Sequence, residues 1–258
     1  MRAHDIQEEM KAFGKALDEL RSVVGQHPPE TIKKPEDELP RVLAFGTLFR
    51  TLNLGRSLVA CAERREYETV GLIGRSLLEL LFLVKAMGRG FNSAHAFLNW
   101  STRKHDSELR KLRDFVSRMG SEGGISYEDL DVLLESSDLG ENADENNWKQ
   151  NVAEVAKKAN MEREYRYHYP LWCLESHHRA RALLTYCRPD ASGYELCFEY
   201  PEDKAVTYCG IAMMYCVELM GLLVEECGIA NSAGLAKAIR ALASRYSCRS
   251  SRNENDGR

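Results

Sequence analysis

The sequence predicts an all-α protein, a multi-helix bundle with an N-terminal heptad helix and at most one short β-strand or hairpin near residues 194–200. Three observations carry this. The seven prolines stand at 28, 29, 35, 40, 170, 189 and 201, so residues 41 to 169 contain none and long helices are permitted there. Apolar residues recur in steps of three and four along most of the chain. Strand-like alternation is confined to one stretch, where Tyr194, Leu196, Phe198 and Tyr200 interleave with Glu195, Cys197 and Glu199.

The first helix is read from Ile6, Met10, Phe13, Leu17, Leu20 and Val24, which step by 4, 3, 4, 3 and 4. This three-heptad stripe either packs on the body of the protein or pairs two copies, so a homo-oligomer through the heptad helix is one expectation. Gln26 to Pro40 is a proline-rich connection. From Arg41 to Arg64, Val42, Phe45, Leu48, Phe49, Leu52 and Val59 keep helical spacing and form the expected inner face. The next helix, about Tyr67 to Met87, carries Leu72, Ile73, Leu77, Leu78, Leu80 to Leu83 and Val84 on all sides, the mark of a central element. A third long helix is expected from Ala94 to Met119. Between Gly120 and Asn147 the composition shifts to Gly, Ser, Asn and acids. There Ser126 to Asp129 resembles a capping box for a short helix, and the acidic remainder is expected to be a mobile loop.

Trp148, Val152, Val155 and Ala159 restart the helical period. A further helix is expected from Glu162 to about Tyr186, with Pro170 acceptable only as a kink or a start. The alternating stretch after Pro189 reads as a strand, a hairpin, or an edge that pairs with another chain. Ala205 to Val224 is 20 residues long with Glu218 its single charge, which meets the length criterion for a membrane span. Tyr208, Tyr215, Cys209 and Cys216 dilute its hydrophobicity and no basic loop flanks it, so a buried core helix without stable membrane insertion is favoured. Ala233 to Tyr246 closes the fold. The expected organisation is an amphipathic helix and connection over 1–40, one helical domain over 41–246 with the acidic loop near 120–147, and a tail over 247–258.

Composition narrows the function classes. In 258 residues, 44% are hydrophobic and 29% charged, values of a globular protein rather than a disordered or collagenous one. The net charge of −4 gives no bulk attraction to nucleic acid or anionic membrane, so such binding requires a local patch. Eight cysteines without a CxxC pair argue against a disulfide framework or zinc ribbon and for a reducing, cytoplasmic setting. Met1 to Met10 holds Arg2, His4, Asp5, Glu8 and Glu9, so no signal peptide is expected there. Walker, GxGxxG, GxSxG and HExxH signatures are missing.

Two groups of residues stand out chemically. Arg75 and Glu79 lie one turn apart inside the most apolar helix, where a lone charge would cost several kcal/mol. They therefore pair with each other structurally or face a polar site, where ionisable groups of this kind cluster. Tyr165, Tyr169, Cys173 and His177 are spaced by four, and His178, Arg179 and Arg181 follow. Histidine transfers protons near neutral pH, and Tyr and Arg hold phosphate or an oxyanion; ordinary aromatic packing with a core histidine is the alternative. Cys173 and His177 lack a second ligand pair, so no metal and no cofactor is expected. Arg103, Lys104, Arg110, Lys111, Arg113 and Arg118 are diluted by acids and read as a solvated face, or with Arg179 and Arg181 as a phosphate-tracking groove. Gly55-Arg56-Ser57-Leu58 recurs as Gly74-Arg75-Ser76-Leu77, for which close helix packing at both glycines suffices.

Arg75-Ser76-Leu77-Leu78-Glu79 resembles the Arg-Ser-x-x-Glu of a bacterial domain family of unknown function, number five-six-seven-seven, and Tyr165-x3-Tyr169-x7-His177 resembles its Tyr-x3-Tyr…Ser-x3-His segment. Cys173 stands where that pattern has serine, and Pro170 where it often has arginine. The resemblance covers about residues 40 to 228 and implies an all-helical cytoplasmic protein with Arg75, Glu79 and His177 as its characteristic polar positions. A looser, fold-level analogy connects such domains to HEPN nucleotide-binding and RNA-cleaving proteins of toxin and phage-defence systems. The HEPN arginine, four to six residues before the histidine, is missing: Arg166 is the nearest one upstream of His177. The expectation is a polar site with Arg75, Glu79 and His177 as catalytic candidates and Tyr165, Tyr169, His178, Arg179 and Arg181 as binding candidates. It would act on a phosphate-containing ligand, RNA or a nucleotide, by a metal-independent RNase-like reaction. The alternative is a noncatalytic helical interaction or oligomerisation protein.

Overall fold

Helices form where the apolar period predicts them, and the computed structural model describes residues 3–26, 39–88, 92–94, 96–97, 101, 151–176, 187–190, 193–196, 200–226, 237, 241 and 244. The chain divides into two compact units, residues 1–91 with 151–258, and residues 92–150. In the second, Ala94, Phe97 and Ser101 are helical; the remainder of the helix expected to Met119, its basic run, the capping box and the acidic loop lie outside the described residues.

The first unit is built on α1 (Ala3–Gln26), α2 (Leu39–Glu63) and α3 (Tyr67–Met87). Every residue of the heptad stripe from Ile6 to Leu20 is fully buried, and Val24 nearly so. The stripe packs within its own chain, against α2 and the late helix α7 (Glu202–Glu226). Helix α7 lies against α1, α2 and α3. It is apolar and long enough to cross a membrane by composition, yet Tyr208, Cys209, Ala212, Met213, Tyr215 to Val217, Leu219, Met220 and Leu223 are buried in the protein. That burial is the core-helix expectation.

On α2 the inner face differs from the one read from sequence. Leu48, Leu52 and Leu58 are buried, but Phe49 is 42% exposed and Thr47 and Thr51 point inward instead. The threonines fit because each hydroxyl donates to the carbonyl one turn back, Thr47 Oγ1 to Leu43 at 2.6 Å and Thr51 Oγ1 to Thr47 at 2.8 Å. A buried hydroxyl satisfied in this way removes most of the polar penalty that pattern reading assigns to it.

Helices α2 and α3 are joined by a tight turn. Arg65 adopts φ 60°, and Glu66 N–H donates to Cys61 O while Arg65 N–H donates to Ala62 O. This is a Schellman motif, which satisfies carbonyls otherwise left open at a helix end. The same motif ends α4 (Val152–Lys158), with Asn160 at φ 55° and Met161 N–H donating to Ala156 O. Asn151 begins that helix, its side chain accepting from Glu154 N–H at 2.9 Å.

The single helix expected from Glu162 to Tyr186 is two helices, α5 (Glu162–Tyr167) and α6 (Tyr169–Ser176), with His168 between them. Pro170 supplies the reason. It has no N–H to donate to the carbonyl four residues back, so it sits in the first turn of α6, where none is required. Residues 177–186 lie outside the described residues. The strand near Tyr194 is one arm of a hairpin, β1 (Cys187–Asp190) antiparallel to β2 (Gly193–Leu196), with Pro189 opposite Tyr194. Helix α3 contacts α2, α4, α6 and α7 and is the central element its all-round apolarity predicts.

Candidate functional site

Arg75 and Glu79 share one face of α3, where i and i+4 side chains meet. Arg75 Nε donates to Glu79 Oε1 at 2.8 Å. Tyr169, at the start of α6, completes the group: its hydroxyl donates to the same Oε1 at 2.9 Å and accepts from Arg75 Nη2 at 3.0 Å. The Arg75 guanidinium carbon lies 5.1 Å from the centre of the Tyr169 ring. Three residues from two helices form a closed triangle of charge-assisted hydrogen bonds.

The triangle is at the edge of the core rather than within it. The side chains of Arg75 and Glu79 keep 24% and 38% of their surface accessible. Burial works against the charge on Arg75, but the hydrogen bond and charge of Glu79 outweigh it and hold the guanidinium pKa above its ordinary value. Burial, followed by the Glu79 charge and hydrogen bond, pushes the Tyr169 phenol up, so it remains a protonated donor at neutral pH. Tyr165 stacks on Tyr169 with ring centres 5.2 Å apart and also meets Phe82 of α3 at 6.4 Å. An aromatic ladder thus runs from the core to the guanidinium.

Of the residues singled out from sequence, Arg75, Glu79, Tyr165 and Tyr169 are brought together. His177, His178, Arg179 and Arg181 lie outside the described residues, immediately beyond α6. Cys173 is half-buried one turn after Tyr169. Among the described residues no three His, Cys, Asp or Glu side chains cluster as metal ligands would.

A second cluster was not singled out from sequence. His168 Nδ1 is hydrogen-bonded to the hydroxyl of Tyr215, which is buried in α7. Trp172 packs edge-on to Tyr215 at 5.5 Å and is itself 1% exposed. The available signal was a tyrosine inside a helix otherwise apolar enough for a membrane, a residue that requires a polar partner when buried. Burial lowers the His168 pKa, with Glu164 opposing and Arg163 assisting, and burial raises that of Tyr215. Both groups are therefore neutral at pH 7.

Gly74 explains how α6 comes so close. A Cβ there would lie 2.8 Å from Cε2 and Cζ2 of the Trp172 indole. At Gly55 it would lie 2.9 Å from Leu17 and 3.0 Å from Cys216. The repeated Gly-Arg-Ser-Leu thus marks two places of close helix packing, as its sequence suggests.

The family of unknown function DUF5677 fits residues 41–194, a span that holds all but the first two residues of α2, the helices α3 to α6 and all of the Arg75 triangle. No curated protein and no solved structure matches the chain.

Proposed function

The chain belongs to the DUF5677 family of unknown function, and on that premise we propose that its Arg75 site binds a phosphate-bearing ligand, with RNA as the substrate class and an RNase-like reaction as the activity. The observation that supports this reading is a guanidinium fixed in orientation by Glu79 and Tyr169 while a quarter of its side chain stays accessible. Preorganised donors of this kind stabilise charge that develops in a transition state, because no reorganisation is needed as the charge appears. In such a reaction His177 takes the proton of the 2′-hydroxyl, whose oxygen bonds to phosphorus while the bond from phosphorus to the 5′-oxygen breaks and that oxygen leaves with a proton from water. Arg75 stabilises the phosphorane charge, and Glu79 and Tyr169 hold Arg75 in place. A place in a toxin or phage-defence system suits that activity.

Pulse induction in a bacterial host tests it, following growth and total RNA integrity with wild type, His177→Ala and Arg75→Lys, and the Tm of each purified protein. Wild type is expected to degrade RNA, while His177→Ala leaves it intact at unchanged Tm. Arg75→Lys keeps the charge but loses the planar fork and is expected to cost roughly 10²-fold or more in cleavage rate. Intact RNA with all three proteins sinks the proposal.

One observation favours a second reading, a noncatalytic interaction protein. Arg75, Glu79 and Tyr169 satisfy one another across α3 and α6, an arrangement that by itself pins the two helices. Under that reading Arg75→Ala lowers stability and His177→Ala changes nothing.

A further inference from the structure

We infer that His168 is a positioning residue for the Arg75 site: held by Tyr215 in the core, it sets where Tyr169 meets Arg75 and Glu79, and its protonation loosens that arrangement. The inference rests on reading the Arg75 triangle as the ligand site, and adds its regulation.

The backbone ladder has one gap at this point, although His168 N–H donates to Glu164 O at 2.9 Å. His168 is the one residue between α5 and α6, and Pro170 cannot donate to the carbonyl four residues earlier. Side chains secure the junction further. The imidazole is tied through Nδ1 to Tyr215, and their rings meet edge-on at 5.9 Å. Trp172 N–H donates to the His168 carbonyl at 3.3 Å, and its ring is fitted between Tyr215 and Gly74. Among the described residues the Trp172 indole N–H has no hydrogen-bond partner, and ring packing places it there. The connection therefore runs from His168 through Tyr215 and Trp172 to Gly74. His168 directly precedes Tyr169, and Gly74 directly precedes Arg75, the two residues that must meet.

The chemistry of the tie is sensitive to one proton. The contact to Nδ1 is the one hydrogen bond of the Tyr215 hydroxyl among the described residues, so for the buried phenol to have an acceptor it donates there, which puts the proton of the neutral imidazole on Nε2. A second proton on Nδ1 removes that acceptor. The imidazolium Nδ1–H can only donate, so the Tyr215 oxygen must accept from it and turn its own hydrogen away, and among the described residues that hydroxyl makes no other hydrogen bond that could receive it. The charged groups that face the pair are Arg163 and Glu164 of α5 and Glu218 of α7, the last paired with Lys85 of α3. Glu164 favours the imidazolium and Arg163 disfavours it, so burial decides and the neutral form prevails at pH 7.

The test follows the full-length, 15N-labelled protein by NMR from about pH 8 to about pH 5, the range in which histidine titrates. The Arg75 Nε–H and the His168 imidazole signals are assigned through Arg75→Lys and His168→Asn. The Arg75 signal is expected to shift with the same midpoint as His168. That step should vanish in His168→Asn, whose amide oxygen accepts from Tyr215 without titrating. In Tyr215→Phe, His168 should still titrate while Arg75 no longer follows. An Arg75 signal that stays flat through the His168 titration in wild type overturns the inference without recourse to any variant. So does a step that survives His168→Asn and disappears in His177→Ala. Inorganic sulfate, whose charge is constant over this range, separately probes the site at about pH 8. If sulfate leaves the Arg75 signal unmoved while the His168 step is present, the ligand-site reading fails; a sulfate response without the step overturns the positioning role alone.

Discussion

Gly74 is the residue on which the site depends most directly, since a β-carbon there would overlap the Trp172 indole, a rigid ring with little room to yield. Gly74→Ala gains up to about 1 kcal/mol of helix propensity but forces an overpacked contact that costs about 1–3 kcal/mol. A net loss of stability in urea melts is expected, larger than for Gly55→Ala, where the nearest atoms are the flexible end of Leu17 and the Cys216 sulfur. Tyr169→Phe keeps the ring over Arg75 and removes the hydroxyl that bridges Arg75 and Glu79. The pair stays partly hydrated, so a loss of about 0.5–1.5 kcal/mol is expected by chemical denaturation, with the helix content unchanged. Among these side chains, Arg75 and Glu79 were legible in the sequence because charge inside an apolar helix is anomalous. Trp172 was not, because which ring meets which glycine depends on how two helices cross.

At the scale of elements, the ends of α2 and α4 repeat one device with different residues. Asn160 accepts the left-handed conformation readily, whereas Arg65 holds it at a steric cost. Arg65 is exposed, so Arg65→Gly relieves that cost without removing a packed side chain. A gain of about 0.5–1 kcal/mol is expected, read as a rise in Tm. The break between α5 and α6 shows what periodicity leaves open. Pro170 announces an interruption, and the pattern of tyrosines around it fits one helix or two. The choice came from His168 and Trp172 finding Tyr215 on a helix more than forty residues later. Conversely, the central place of α3 was readable because apolar residues lie on nearly every side of it, although Leu72 is 44% exposed.

The whole molecule draws its core from beyond the family match. Residues 41–194 exclude α1 and α7, yet α7 packs on α3 and both helices pack on α2. Burying a large apolar side chain contributes about 1.5–3 kcal/mol, and α1 alone buries Ile6, Met10, Phe13, Leu17 and Leu20 completely. Their loss rivals the whole stability of an ordinary domain, about 5–15 kcal/mol. The fragment 41–194 is therefore expected to show no cooperative unfolding transition by circular dichroism, in contrast to the full chain. Stability should also depend on pH through His168, whose folded pKa is depressed below the ordinary 6.5. Its neutral form is favoured on folding, so the contribution is complete above about pH 6.5 and is lost as pH falls through the folded value. The denaturation midpoint of wild type should fall over that window more than that of His168→Asn.

By itself the sequence determined the helical class, the heptad spacing of the first helix, the central place of α3 and the nearness of Arg75 to Glu79 on one face, and it favoured a buried α7. All of these follow from local spacing, since a helix places residues three and four apart on one face wherever it lies in the fold. Tertiary structure decided which α2 residues face inward, where α5 yields to α6, and that Tyr169 closes the triangle while His168 and Trp172 meet Tyr215. Those outcomes depend on contacts between residues tens of positions apart, whose partners are fixed by how helices pack and not by any pattern along the chain.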